Sequence, residues 1–292
     1  MDPLLVITNP SAGSADPEAL ESGLAVLREH TSVEVAATEH PGELDGVLHR
    51  AGSRLIVVAG GDGSMHAVVA ALHRRNELSG RVLGLLPLGT GNDFARGAGL
   101  PLDVEEAARV IAKGAPRPVD LLVDEVGEIV VNSAHVGLGA EAGKQGARWK
   151  PHLGRAGYAV GAVIAAVRPR VLRLRVEVDG AVVNDIDQPV LMVAIGNGSQ
   201  VGGGLQLTPD ADPGDGQADV MISRAVTPLA RAAYAIRLGR GSHAEQDEVT
   251  TVRGGVVSVS GSDFWCSADG EVYGPERRRT WRIEPAAYQL LR

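Results

Sequence analysis

A chain of 292 residues with 44% hydrophobic content is long enough for two ordinary domains and apolar enough to pack them, which excludes a disordered protein. A formal net charge of −8 excludes the basic footprint of a nucleic-acid binder. The single cysteine, Cys266, excludes an internal disulfide, and aromatics at 3% leave the core to Val, Leu, Ile and Ala.

In chain order, "LLVITNP" reads as a short apolar strand that ends in a turn. Residues 16–30 read as a helix, with Asp16 as N-cap and Pro17 at the first helical position. "VEVAATE" alternates as a strand, and "GELDGVLHRAG" is helical in pattern although Gly46 weakens it. "RLIVVAGGDGS" is a buried strand with its loop, followed by the helix "HAVVAALHRR". "VLGLLPLGTGND" repeats the strand and loop, and "LDVEEAARVIAKG" the helix. Continuous apolar strands alternating with helices predict an α/β domain over residues 1–120, with a parallel sheet covered on both faces. Ligands on such sheets sit at the carboxyl ends of the strands, where the glycine-bearing loops 9–14, 60–64 and 89–92 fall.

After about residue 120 strands dominate, over 119–124, 128–135, 171–178, 190–195, 218–223, 249–253, 256–260 and 280–284. Asp179-Gly180 signals a hairpin, and helical pieces intervene near 154–166 and 228–238. Residues 121–292 are therefore predicted to form a second, mainly antiparallel β domain, with the active cleft between the two and the last residues packing back on the first. The opening "MDPLLVITNP" has no basic segment before its apolar run, so no signal peptide is expected, and no window reaches the roughly 18 apolar residues of a membrane span.

Glycines after a buried strand let the backbone turn tightly beside a bulky ligand, and the next helix offers free N–H groups. "GGDGS" thus suits phosphate, although one such loop is equally an ordinary strand–helix turn. A second loop, "LPLGTGNDFAR", shifts the balance. Two acids at neighbouring strand ends, Asp62 and Asp93, repel an anion unless a metal or a hydroxyl joins them, which suggests phosphoryl transfer. "GLGAEAGK" (137–144) misses the P-loop spacing, no HExxH or Cys/His cluster occurs, and "NGS" at 197–199 is a sequon without a secretion signal.

"NPSAG", "GGDGS", "PLGTGNDFAR", "TPDADPGDGQADV" and a late "DGE" occur in that order. On these motifs the chain resembles, over nearly its whole length, the soluble bacterial diacylglycerol kinase-like lipid kinases, within the superfamily of sphingosine and NAD kinases. The resemblance implies an N-terminal Rossmann-like, NAD kinase-like nucleotide domain and a C-terminal lipid-binding β-sandwich. It implies transfer from ATP to a lipid hydroxyl, with diacylglycerol giving phosphatidic acid as the expected case. Asn9 and Pro10 would form the first nucleotide loop, Thr38 would contact ATP, and Gly60, Gly61, Asp62, Gly63 and Ser64 would cradle the phosphates. Thr90 would add a nucleotide contact, Asp93 would approach the acceptor, and Glu271 resembles the proton acceptor. Glu271 also reads as an ordinary acid in a hairpin turn, since "SADGEVY" is good turn chemistry. In "DADPGDGQAD" the resemblance implies Mg²⁺ on Asp215 with backbone oxygens at Asp212 and Gln217; a solvated acidic turn is the alternative.

The pattern departs in two places. GGDG is usually followed by Thr-x-Asn-Glu, where this chain has Ser64, Met65, His66 and Ala67; His66 either replaces one hydrogen bond or is a surface histidine, the default expectation. The first loop usually leads to a cation, and here leads to Ser14, Ala15 and Asp16. The chain is thus expected to be cytoplasmic and peripheral to the inner membrane face, with a lipid substrate, no nucleic-acid partner and a homodimer left open. The segment from Arg148 to Arg175, rich in Arg with Trp149 and Tyr158, offers a membrane patch, with "ERRR" at 276–279 as a weaker one. An NAD kinase-type enzyme and a nucleotide-binding regulator with little turnover are the rival readings.

Overall fold

The computed structural model describes residues 4–9, 16–137, 140 and 171–292. The first domain alternates β1 (Leu4–Thr8), α1 (Pro17–Arg28), β2 (Val33–Ala37), α2 (Pro41–Ala51), β3 (Leu55–Gly60), α3 (Asp62–Arg74), β4 (Val82–Pro87), α4 (Asp93–Gly97) and α5 (Val104–Lys113). The strands run parallel in the spatial order β4-β3-β1-β2. Residues alternate between faces as strand geometry requires. Leu5, Ile7, Ile56 and Val58 bury against Leu48, Met65 and Leu72, whereas Leu4, Val6, Val57 and Ala59 bury against Leu24, Leu27 and Ile111.

The second domain contains β5 (Pro116–Asp124), β6 (Ile129–Val130), β7 (Ser133–Gly137), β8 (Leu174–Val178), β9 (Ala181–Asn184), β10 (Met192–Gly196), β11 (Gln200–Val201), β12 (Leu205–Gln206), β13 (Ala218–Ser223), α6 (Pro228–Gly239), β14 (Val249–Gly254), β15 (Val256–Ala268) and β16 (Glu271–Leu291). It is an antiparallel β-sandwich around Leu174, Val176, Val193, Ile195, Val257, Phe264 and Trp281. Cys266 is a small core residue there; burial pushes its thiol up to about 12. β16 is 21 residues long and joins the domains. It pairs antiparallel with β15 and β5, and its end runs parallel to β4 with Gln289 opposite Val82.

Several expectations shift in detail. The strand expected over 128–135 is two, β6 and β7, because the N–H groups of Val131, Asn132 and Ser133 all bond the Asp269 carboxylate. The strand expected over 280–284 is only the middle of β16. The membrane patch expected at 276–279 loses Arg279, which is drawn inward between Asp124 and Glu276, at 2.6 and 2.5 Å. "GGDGS" is not a loop before a helix: α3 starts at Asp62 itself. The helix expected near 154–166, most of "GLGAEAGK", Pro10, Ser14 and Ala15, and the patch up to Arg170 lie outside the described residues. The described end of that patch is engaged, with Arg175 paired to Glu177 and Asp185.

Candidate active site

The carboxyl ends of β1, β3 and β4 open into a cleft of about 420 Å³. It is lined by Thr8, Asn9, Thr38, Gly61, Asp62, Gly63, Ser64, Gly89, Thr90 and Gly91, among others. The sequence-predicted Asn9, Thr38, Gly61, Asp62, Gly63, Ser64 and Thr90 are therefore together. Thr38 is held at the end of β2 by its N–H, which donates to Thr8 O at 2.9 Å. Gly60 lies behind the lining, buried at the end of β3 opposite Pro87.

The two glycine loops touch through bare backbone. A Cβ on Gly61 would stand 2.8 Å from Gly89 Cα, and one on Gly89 only 2.5 Å from Gly61 Cα. No other residue type allows that approach. Asn92 braces the second loop from a left-handed φ of 54°, its Nδ2 donating to Gly89 O at 2.7 Å.

Helices around the cleft start differently from the others. α1, α5 and α6 are capped by the side chains of Asp16, Asp103 and Thr227. α3 follows Gly61, which supplies no cap, so the positive end of its dipole is left for a ligand. Gly63 in its first turn costs about 1 kcal/mol relative to alanine. Burial of Met65, Val68, Val69, Ala71 and Leu72 outweighs that cost, each large side chain contributing about 1.5–3 kcal/mol.

Asp62 and Asp93 converge on Gly91. A Cβ there would stand 3.0 Å from Asp62 Oδ2 and 3.5 Å from Asp93 Oδ2. Asp62 Oδ1 accepts the Phe94 N–H at 2.9 Å. Burial pushes the Asp62 carboxyl above its ordinary range, and the charges of Asp93 and Asp269 add to this; the N–H groups of Phe94 and Asp93 oppose it. Asp93 is fixed from the other domain: Gly203 N–H donates at 2.9 Å and Gly204 N–H at 2.7 Å. Both donors sit in the β11–β12 turn, where "VGGGLQ" was the only sequence signal for them.

Glu271 opens β16 just after the Asp269-Gly270 turn, whose φ values of 46° and 89° are those of a tight hairpin. It is exposed, is absent from the cleft lining, and accepts a hydrogen bond from Tyr273 OH at 2.9 Å. The turn is nevertheless tied to α3. His66 Nδ1 lies 2.8 Å from Asp269 Oδ2, and the His66 side chain is only 21% exposed. The default expectation of a surface histidine is thus corrected: it bridges the domains. Burial works against its proton, but the hydrogen bond and charge of Asp269, with Glu271 and Glu128 beyond, prevail and raise its pKa.

The sequence points to two Mg²⁺ positions. Asp62 and Asp93 fit one: Mg²⁺ is held through one or two carboxylates together with substrate phosphates, and no described cation is ion-paired to either acid. At 212–217 the Asp215 Oδ1 accepts the Gln217 N–H at 3.0 Å and Oδ2 is ion-paired to Arg253. Asp212 Oδ1 accepts the Gly214 N–H at 3.0 Å. Asp120, unremarked in the sequence, bonds Gly216 N–H and Ala286 N–H and so closes the loop. In this fold the carboxylates of the loop thus bond its own N–H groups and Arg253, and the Mg²⁺ that the resemblance implies here would be held by Asp215 with the backbone oxygens of Asp212 and Gln217.

Comparison with known proteins gives the following. A family model for the diacylglycerol kinase catalytic domain matches residues 3–123. A model for the YegS C-terminal NAD kinase beta sandwich-like domain matches residues 132–292. A "probable lipid kinase YegS-like" from Stenotrophomonas maltophilia is 32% identical over 294 residues, covering 96% of this chain and 92% of that protein. One of the same name from Chromohalobacter salexigens is 37% identical over 183 residues, 61% of this chain and 57% of that protein. A solved structure of a diacylglycerol kinase from Bacillus anthracis aligns with a TM-score of 0.79 at 23% identity, over 99% of this chain and 96% of that one, which speaks to the fold.

Proposed function

The chain belongs to the diacylglycerol kinase-like lipid kinases, phosphotransferases with an alcohol acceptor, and on that premise we propose that it moves the γ-phosphoryl group of ATP to the free hydroxyl of diacylglycerol, giving phosphatidic acid. The observation that carries the reading is the convergence of Asp62 and Asp93 on Gly91 at the mouth of an uncapped helix.

The triphosphate lies along Gly61, Gly63 and Ser64, where backbone N–H groups and the α3 dipole offset its charge. Asn9, Thr38 and Thr90 orient the nucleotide from the other walls. Mg²⁺ arriving with ATP supplies further neutralisation, and Asp62 and Asp93 are the carboxylates that would hold it. Asp93, locked by two backbone N–H groups, meets the acceptor side. Glu271 takes the hydroxyl proton as the oxygen attacks the γ-phosphorus and the bond to the leaving ADP oxygen breaks. The His66–Asp269 contact supports that role, because it ties the Glu271 hairpin to the phosphate-binding helix.

The test is transfer of labelled phosphate from Mg-ATP to detergent-dispersed lipids, run beside Glu271→Gln. Labelled phosphatidic acid is expected, falling by about 10²–10⁴ in the variant. Labelling of a different lipid in place of diacylglycerol would overturn the acceptor, and undiminished turnover in the variant would overturn the base.

A further inference from the structure

α6 is attached to the sandwich by a narrow inner face. Tyr234 is its one fully buried side chain, packed among Leu191, Met192, Leu207 and Met221. The opposite face is open. Leu229 is 82% exposed and Ile236 56% exposed. With Ala232 and Arg240 they follow a spacing of three, four and four residues, which makes one stripe along the helix.

The charge around this stripe is one-sided. From Val220 to Ala244 the sequence holds four arginines and no acid, in a chain whose net charge is −8. Arg224 is turned inward, bonded to Asn184 and Thr250. Arg231, Arg237 and Arg240 form no ion pair with a described residue, and the last two are exposed.

We propose that this outer face of α6, with Leu229 and Ile236 inserted and Arg237 and Arg240 on headgroups, docks the protein on an anionic lipid bilayer. The inference rests on the lipid-kinase reading, since such an acceptor resides in a bilayer. Apolar side chains flanked by unpaired cations are what an interfacial helix presents. A second copy of the chain is the poorer occupant. Two aliphatic side chains fall far short of the apolar area a stable dimer needs. Location supports the bilayer as well. The chain leaving α6 lies against β12: a Cβ on Gly241 would stand 2.7 Å from Gln206 Oε1. β12 closes the turn whose Gly203 and Gly204 N–H groups hold Asp93. The docking face is thus one structural layer from the acceptor-side carboxylate.

The test floats the full chain with vesicles of equal parts phosphatidylglycerol and phosphatidylcholine, and with pure phosphatidylcholine vesicles. Binding is expected to the anionic vesicles alone and to weaken with added salt. Arg237→Ser with Arg240→Ser should lower partitioning about 25-fold, about fivefold per arginine. Leu229→Ser with Ile236→Ser should lower it at least as far. All variants should phosphorylate a dispersed short-chain diacylglycerol as the wild type does, which shows that they fold. Equal flotation of variants and wild type, or equal binding to neutral vesicles, overturns the proposal. So does a wild-type dimer that the Leu229/Ile236 variant splits in sedimentation velocity while flotation stays unchanged. Charge-dependent flotation without phosphorylation of any lipid would overturn the functional reading and leave the docking face standing.

Discussion

Replacing His66 by alanine removes the one side-chain hydrogen bond, among the described residues, from α3 to the Asp269-Gly270-Glu271 turn. A hydrogen bond to a charged group contributes about 1.5–3 kcal/mol. Stripping one partner from a buried ion pair costs up to about 5 kcal/mol when the other charge is orphaned. Asp269 is not orphaned, because Val131, Asn132 and Ser133 still donate to it at 2.7, 3.0 and 3.2 Å. The loss should therefore sit near the lower figure, about 2 kcal/mol. It should also depend on pH. A histidine whose folded pKa is raised contributes its full stabilisation below the unfolded value of about 6.5 and loses it as pH rises through the folded value. Asp269, Glu271 and Glu128 are the acids that face it. Urea unfolding of wild type and His66→Ala should thus differ most near pH 6 and least near pH 8.5. His66→Asn, which keeps a neutral donor, should recover part of the stability with no such pH dependence. Turnover should follow the same order if the turn positions Glu271. An alanine variant whose deficit is the same at both pH values, or absent, would refute the charge-assisted link.

Asp62→Asn keeps an oxygen for the Phe94 N–H and removes a buried charge beside Asp93. A carboxyl with a raised folded pKa destabilises the fold above that pKa and ceases to do so as pH falls toward the unfolded value, so the variant should be about 1 kcal/mol more stable near pH 7, with the gain vanishing in acid. Phosphoryl transfer should fall by at least about 10²; a thermal scan showing a less stable variant at pH 7 would contradict the argument. Gly89→Ala would set a Cβ 2.5 Å from Gly61 Cα and 2.6 Å from Asn92 Oδ1, forcing the two loops apart at a cost of about 1–3 kcal/mol. Calorimetry should show ATP affinity lost, and an unchanged affinity would mean that the loop contact does not shape the nucleotide site.

What the sequence made legible is what its local chemistry determines. Asp16 does accept the N–H groups of Glu18 and Ala19 ahead of Pro17, and Asp179-Gly180 does turn a hairpin with both φ values positive. The α/β-then-sandwich order followed from continuous and alternating apolar strands. What it hid depends on partners far away in the chain. Asp269 interrupts the strand expected over 128–135 from 137 residues away at Asn132, and meets His66 across 203. Asp93 owes its fixed position to Gly203 N, 110 residues on. Charge hides part of β16, because "ERRR" reads as a candidate membrane patch until Asp124 is seen to draw Arg279 inward. No window of periodicity contains both members of such a pair.

The same distance effect changes what the departures from the family pattern mean. Beside the usual Thr-x-Asn-Glu, Ser64, His66 and Ala67 look like a helix start stripped of polar groups. His66 is not stripped of function in the fold: from the second turn of α3 it reaches the other domain and grips the turn that carries Glu271. In this chain the polar interaction of the helix start lies at the joint between the nucleotide loop and β16. β16 then runs on until Gln289 and Leu290 pair with β4, whose end carries Gly89, Thr90 and Gly91. α3 and β4 therefore hold one strand at its two ends. A displacement of the Glu271 turn away from α3 stretches the His66–Asp269 contact, while His73 Nε2, 3.2 Å from Glu284 Oε2, ties α3 to β16 a second time further along. His66 is the contact of α3 nearest the Glu271 turn, so its loss is the one felt most directly at the proposed base.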